Sequence, residues 1–473
     1  MRNVINKLIM YLRIFIVLLF LLCASCESFL DVDLSETEII NDEVFSSDVT
    51  AASAISGIYS DMLNAQAFSS GSNQSVGVLA GLSSDELKSY SANTDFQAFY
   101  QNSILPENFW NQSLWSSLYK TIYEANAVIQ GLDKSLSVST EVRNQLKGEA
   151  LFIRAFCHFY LVNLFGDVPV VLGTDYSENS TISRKAEDIV YSQIIEDLLH
   201  AQENLGDSYA TSDRVRPNRS TATALLARVY LYRKNWEKAE EESSKILNDT
   251  RYRLEEAGVA FKTSSMEAIW QLMPVNPNLN TQEGFYSILT ASPVNGDPRS
   301  NALSAELVGS FESGDTRQIN WVNSYTDGED TWYYPYKYKV ILKPEGTPVE
   351  EYSMVFRLAE QYLIRAEARV NQNKLSEGMV DLDSVRSRAQ IALFSDINPG
   401  ASQGELLLAI ERERRVELFS EWGHRWFDLK RWGKAGVVLF PVKSGWSDTD
   451  VLYPIPRVER SRNPSLGDQN PGY

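Results

Sequence analysis

Carboxylates and guanidinium groups crowd one stretch of the chain. It reads Glu411-Arg412-Glu413-Arg414-Arg415-Val416-Glu417-Leu418, continues to Glu421, and resumes as His424-Arg425-Trp426-Phe427-Asp428-Leu429-Lys430-Arg431-Trp432. Glu413, Glu417 and Glu421 recur every fourth residue, so a helix running through them puts all three acids on one face. Such a constellation could do acid–base or glycosidase chemistry. It could equally be a buried ion-pair network with Arg414, Arg425 and Arg431. The alternation of signs favours the network. A catalytic carboxyl needs a raised pKa, whereas a neighbouring cation lowers it.

Other reactive material is sparse. There are three His and three Cys. His158, His200 and His424 lie far apart, and no Walker A loop, dinucleotide-type glycine motif, HExxH, paired CxxC or GxSxG occurs. Neither a metal nor a cofactor is expected. Cys157 and His158 read as packed helix residues. The 62 acidic residues outnumber 44 Lys and Arg, a formal charge of −18. That surface repels phosphate backbones, so no nucleic-acid partner is expected. Aromatic residues are abundant, with 20 Phe, 23 Tyr and 10 Trp. The composition therefore favours a neutral ligand that stacks on rings.

Helical periodicity must position these groups. Ala52, Ile55, Tyr59 and Met62 recur at three- and four-residue spacing from Ser46 onward. Further helices are predicted from Leu114 to about Leu132, from about Val142 to Leu164, and over 185–205. The second of these stops at Phe165-Gly166-Asp167-Val168-Pro169, a Gly-then-Pro terminator. Helices return over Ser353–Asn371, 375–389 and 403–420. Residues 64–112 and about 250–350 lose the period, and the last 30 residues read as an extended tail.

A repeat without fixed period runs through the helices. Leu226-Ala227-Arg228-Val229-Tyr230-Leu231 matches Leu358-Ala359-Glu360-Gln361-Tyr362-Leu363, with a looser copy at Phe156-Cys157-His158-Phe159-Tyr160-Leu161. The small residue shares a face with the Tyr–Leu pair, where another helix can approach closely. A short turn at Lys234-Asn235 leads into a second helix ending near Leu247. Helix, turn and helix of this kind resemble a tetratricopeptide unit with long insertions between copies. Insertions on a rigid scaffold are where function concentrates.

The N-terminus reads as a targeting signal. Arg2, Lys7 and Arg13 precede an apolar run from Ile14 to Ala24, too short to span a bilayer. Cys23-Ala24-Ser25-Cys26 resembles a bacterial lipobox, with Cys23 departing from the usual Leu. The expectation is a signal peptide over 1–25, a lipidated tether over 26–45 anchored through Cys26, and one domain over 46–473. Cys157 is then the one thiol left free, and no intramolecular disulfide is expected.

Together these residues resemble the SusD/RagB family of nutrient-binding outer-membrane lipoproteins of Bacteroidetes. The resemblance rests on Cys26 with Phe29-Leu30-Asp31, Ala54-Ile55-Ser56-Gly57-Ile58-Tyr59, and Trp115 with Tyr119, Ile122 and Ala125-Asn126. It continues through Gly148-Glu149-Ala150-Leu151-Phe152-Ile153-Arg154-Ala155, Phe165-Gly166-Asp167-Val168-Pro169 and Glu267-Ala268-Ile269-Trp270. Arg357-Leu358-Ala359-Glu360, Arg365-Ala366-Glu367-Ala368, the Glu413–Trp432 segment and the ending Asn463-Pro464 to Gly472-Tyr473 complete it. The resemblance implies an all-α fold of about four tetratricopeptide-like helix pairs with a large irregular insertion. It implies a lipid-anchored surface protein without catalytic activity. Such a protein captures oligosaccharides and passes them to a SusC-like TonB-dependent transporter. Two rivals from other classes are a secreted all-helical glycosidase built on the acidic cluster and a tetratricopeptide scaffold that binds peptides.

By the same resemblance, ligand contacts fall in the loops after the first helix and in the middle insertion, here 81–113 and 280–340. Trp332-Tyr333-Tyr334 follows the polar run Asp327-Gly328-Glu329-Asp330 and precedes Pro335, so at least one ring is expected to face solvent. Tyr100 and Trp110 are the candidate rings of the other insertion. Asp85 and Asn102 are candidate partners for sugar hydroxyls. Trp332 is expected to tolerate truncation without loss of stability.

Overall fold

A computed structural model describes residues 43–276, 278–294, 296 and 298–473. Cys26 and the segments assigned to signal peptide and tether lie outside the described residues. Eight long helices build the scaffold: Phe109–Lys134, Thr140–Phe165, Glu187–Asn204, Arg219–Tyr232, Trp236–Leu247, Leu358–Asn371, Leu375–Arg388 and Gln403–Glu417. Each packs on the next in this order, giving four consecutive pairs of the tetratricopeptide kind. The helix Asp48–Met62 lies against the first pair.

Local chemistry sets the helix ends. Asn108 accepts from the backbone N–H groups of Trp110 and Asn111, both at 3.0 Å, and starts its helix five residues ahead of the periodicity. Ser402 and Glu405 form a reciprocal capping box. Gly166, at φ +73°, ends Thr140–Phe165 in a conformation that favours glycine.

The repeat copies meet in the core. Cys157, Ala227 and Ala359 have no exposed surface. The residues after the second and third small positions form a buried bidentate pair. Arg228 donates from Nε to Glu360 Oε1 at 2.6 Å and from Nη2 to Oε2 at 2.7 Å. The same guanidinium lies 3.5 Å from the hydroxyl of Tyr160 in the first copy. Small residues let the helices approach, and the ion pair fixes their register.

Several expectations change at element boundaries. Residues 64–112 contain two helices, Val76–Ser83 and Thr94–Gln101. Ser353–Arg357 is a strand and only Leu358–Asn371 is helical, because this stretch pairs with a partner strand before the helix begins. The final segment carries a short helix, Arg457–Arg462. Six short strands are described: β1 (Leu87–Ser89), β2 (Ala268–Leu272), β3 (Asn301–Leu303), β4 (Val322–Thr326), β5 (Thr331–Pro335) and β6 (Ser353–Arg357). They pair antiparallel as β1–β3, β2–β6 and β4–β5. The β1–β3 pair joins the two insertions, with Leu87 opposite Leu303 and Lys88 opposite Ala302. No helix among the described residues is long and apolar enough to cross a membrane.

Candidate functional site

The two insertions converge on one cleft of about 550 Å³. Tyr90 and Tyr100 line it from the first insertion, Trp332 and Tyr333 from the middle one. Its volume falls in the range of roughly 300–1,000 Å³ typical of small-ligand sites. β5 alternates, turning Tyr333 to solvent and Trp332 and Tyr334 inward. Trp332 is nevertheless at the cleft edge. Its ring meets Tyr90 edge-on at 6.5 Å and stacks on Tyr325 at 6.3 Å.

Among the described residues four ionisable side chains other than tyrosines line the cleft: Asp85, Lys88, Glu306 and Lys443. Lys443 Nζ donates to the carbonyls of Leu82 at 2.8 Å and Tyr100 at 2.7 Å, and sits 4.0 Å from the Tyr100 ring centre. Burial pushes this ammonium down to about 7, against the opposite pull of Asp85 and Glu306. Lys88 Nζ lies 5.0 Å from the Tyr90 ring centre. Ser304 Oγ donates to the Asp85 carbonyl at 2.6 Å, stitching the insertions together beside the cleft.

Of the seven predicted ligand residues, Asp85, Tyr100, Trp332 and Tyr333 line this cleft. The other three sit elsewhere. Asn102 is the left-handed C-cap of Thr94–Gln101, at φ 54°, and its amide donates to the Ser83 carbonyl at 3.1 Å. Asparagine suits that conformation, and the same role buries it away from solvent. Trp110 stacks on Phe96 at 5.1 Å in the first turn of its own helix. Tyr334 packs inward with Ile288, Leu289 and Ala302. Asp85 is buried, and its carboxylate accepts from Arg425 Nε at 2.7 Å and Arg415 Nη2 at 2.6 Å. Burial alone would raise its pKa, but the two guanidiniums outweigh burial and hold it below the usual range. Its lone pairs are already largely engaged by cations.

Tyr90, Lys88, Glu306 and Lys443 were not among the expected contacts. Lys443 lies 360 residues downstream of Ser83 in an apolar–polar segment without a motif, so no local signal marks it. Lys88 and Tyr90 fall inside the expected 81–113 window and were recoverable there.

The acidic cluster is buried and fully paired, with a different wiring from the expected one. Glu413 binds Arg317 at 2.5 Å and Arg386 at 3.1 Å. Glu417 binds Arg317 at 2.8 Å, together with Arg357 and Arg388. Glu421 binds Arg357 at 2.8 Å and also Lys337. Arg414 and Arg431 instead hold Asp428, each at 2.7 Å, and Arg431 also holds Glu367. The expected one-face array also ends early. The helix stops at Glu417, and Glu421 lies in the following turn. The partners come from other elements: Arg317 from the middle insertion, Arg357 from β6, and Arg386 and Arg388 from the last turn of Leu375–Arg388, a helix that packs on Gln403–Glu417.

The electrostatics divide these acids. Burial would raise Glu417, but Arg388, Arg357 and Arg317 outweigh it and hold it well below the usual range. Burial keeps Glu413 raised in spite of Arg317 and Arg386, so pairing does not always lower an acid. None of the three lines the cleft. Two further acids missed by sequence reasoning also lie outside its lining. Burial lifts Glu86 to about 8 and Glu283 to about 7. Glu283 lines a small cavity of about 60 Å³ with Asn301, Lys337 and Glu421. Among the described residues no group of three or more His, Cys, Asp or Glu could hold a metal ion.

Helical repeats bearing a ring-lined cleft between two insertions define a repeat-scaffold binding architecture. A family model described as starch-binding and associating with the outer membrane matches residues 29–231, and the SusD family model matches 305–440. The chain belongs to the SusD/RagB family. It is similar to the SusD-like protein P25 of Formosa agariphila, 26% identical over 95% of this chain and 97% of that protein. A solved SusD homolog from Bacteroides thetaiotaomicron superposes with a TM-score of 0.79 at 20% identity, covering 92% of this chain and 99% of the other. A laminarin-binding SusD-like protein superposes at 0.75 with 24% identity, covering 91% and 100%. These superpositions establish the all-α, tetratricopeptide-like SusD fold.

Proposed function

We propose that this chain is a cell-surface glycan-binding lipoprotein. It captures oligosaccharides at the cleft and delivers them to a SusC-like TonB-dependent transporter. The supporting observation is the convergence of Tyr90, Tyr100, Trp332 and Tyr333, from insertions far apart in sequence, on one cleft. Rings offer apolar faces that stack on the C–H faces of sugars, while Lys88, Glu306 and Lys443 supply groups for hydroxyls. The names of a laminarin-binding relative and of a surface glycan-binding protein from Bacteroides fluxus support the ligand class. The lipobox-like run ending at Cys26 supports the anchor. We assign no catalytic step, because Glu413, Glu417 and Glu421 are buried in ion pairs.

The test is incubation with a glycan panel, with binding and product formation followed together. Capture without cleavage, weakened by Tyr100→Ala, supports the reading. Product release would favour the glycosidase. Cys26→Ala should release the protein from the outer-membrane fraction, and retention there at the wild-type level would remove the anchor.

A further inference from the structure

We propose that the cleft takes an acidic glycan, one bearing carboxylate or sulfate groups, held by Lys88 and Lys443. The inference rests on the glycan-binding reading and sharpens it. The whole chain carries −18, which on composition alone favours a neutral ligand. The cleft has the opposite balance. Asp85 is shared by two guanidiniums, so the Asp85–Arg415–Arg425 cluster keeps one uncompensated positive charge. Lys88 and Lys443 make no salt bridge among the described residues; their nitrogens rest on the Tyr90 and Tyr100 rings, and Lys443, pushed down to about 7 by burial, carries only part of its charge near neutral pH until an anion binds beside it. Among the described residues Glu306 is the one lining acid without a bound cation. Glu86, beneath, is held mostly uncharged near neutral pH by burial. The acids of the β4–β5 turn, Asp327, Glu329 and Asp330, are exposed, where salt screens them over about 8 Å. Within a concave site the cationic excess is felt more strongly than the same charges on open surface. Lysine over a tyrosine face also places the charge beside a stacked ring, where an acidic substituent of that sugar would lie.

Lys443 adds a signature that a neutral sugar lacks. The groups that act on it are Asp85 and Glu306, with the Tyr100 ring against it, Lys88 across the same cleft, and Arg415 and Arg425 behind Asp85. Its ammonium titrates at about 7. An anion placed beside it raises that value, so binding takes up a proton. A neutral sugar only removes water, lowers the value and releases one.

Calorimetry on the full chain at pH 7.5 tests this with galacturonate oligomers, sulfated galactan oligomers and laminarin oligomers as probes. Each is measured in phosphate and in Tris, at low and high salt. Expected is a preference of about tenfold or more for an acidic probe. That preference should shrink at high salt and in Lys88→Ala, with buffer-dependent heats of the sign of proton uptake. The melting temperature of Lys88→Ala should match wild type, since Lys88 is exposed. The better of the two acidic probes separates carboxylate from sulfate recognition. Equal or tighter binding of laminarin, insensitive to salt and to Lys88→Ala, overturns the acidic-glycan inference and leaves the cleft reading standing. If no probe binds, both fall.

Discussion

Arg425 holds Asp85 across 340 residues of sequence, Nε to Oδ1 at 2.7 Å and Nη2 to Oδ2 at 3.1 Å. The charged segment that most invites a catalytic reading is thus the clamp beneath the cleft. It fixes the stretch that leads into β1, and so the placement of Lys88 and Tyr90. Asp85→Asn leaves the buried Arg425 and the half-buried Arg415 without their acid. Removing one partner of a buried pair costs about 3–5 kcal/mol. The variant should melt markedly lower and bind glycan more weakly, read by calorimetry and titration. A wild-type melting temperature would show that the clamp carries no stability.

Glu417 is the hub of the second network. Gln at this position faces Arg317, Arg357 and Arg388 with a neutral amide. Stability should fall by about 3–5 kcal/mol, measured by denaturant unfolding. Glycan affinity of the folded variant should not change, because none of these groups lines the cleft. Lost affinity with unaltered stability would point to a direct ligand role.

The legible and illegible parts of the sequence differ in range. Ile55, Leu118, Ile122 and Ile129 mark their helices because one buried face repeats every turn. Cys157, Ala227 and Ala359 stand out for the same reason. The partners of Glu413, Glu417 and Glu421 do not, because Arg317, Arg357 and Arg386 arrive from elements that only the tertiary fold brings near. The cleft was half visible. The 81–113 and 280–340 windows contain Tyr100, Trp332 and Tyr333, but aromatic content alone cannot separate Trp110, which packs on Phe96, from Tyr90, which lines the cleft.

His158 supplies a pH test. It has no exposed surface, and neither ring nitrogen has a hydrogen-bond partner among the described residues. Burial lowers its pKa to about 4 from an ordinary 6.5, against the pull of Asp197. The unfolded chain therefore takes the proton first. Its contribution is fully present above pH 6.5 and is lost as pH falls through 4, about 3 kcal/mol in all. His158→Leu should flatten the stability profile between pH 6.5 and 4 relative to wild type. An unchanged acid slope would exclude His158 as its source.

Trp332 and Tyr333 are neighbours with opposite expected phenotypes. Trp332 is 7% exposed and packs on Tyr90 and Tyr325, whereas Tyr333 is 42% exposed on the other face of β5. The sequence alone suggests that Trp332 can be truncated freely; its burial argues otherwise. Trp332→Ala empties a packed site, which typically costs about 3–5 kcal/mol. It should lower the melting temperature and glycan affinity together. Tyr333→Ala removes a ring already in water, so stability should hardly move. Losing one stacked ring is worth roughly 1–2 kcal/mol, about tenfold in affinity, by the scale of aromatic pair energies and buried area. Titration of both variants with the same glycan separates the roles. If Tyr333→Ala binds as tightly as wild type, Tyr333 is a rim residue and the stacking surface is Tyr90 with Tyr100. If Trp332→Ala keeps its stability, the strand alternation that turns it inward does not govern this hairpin.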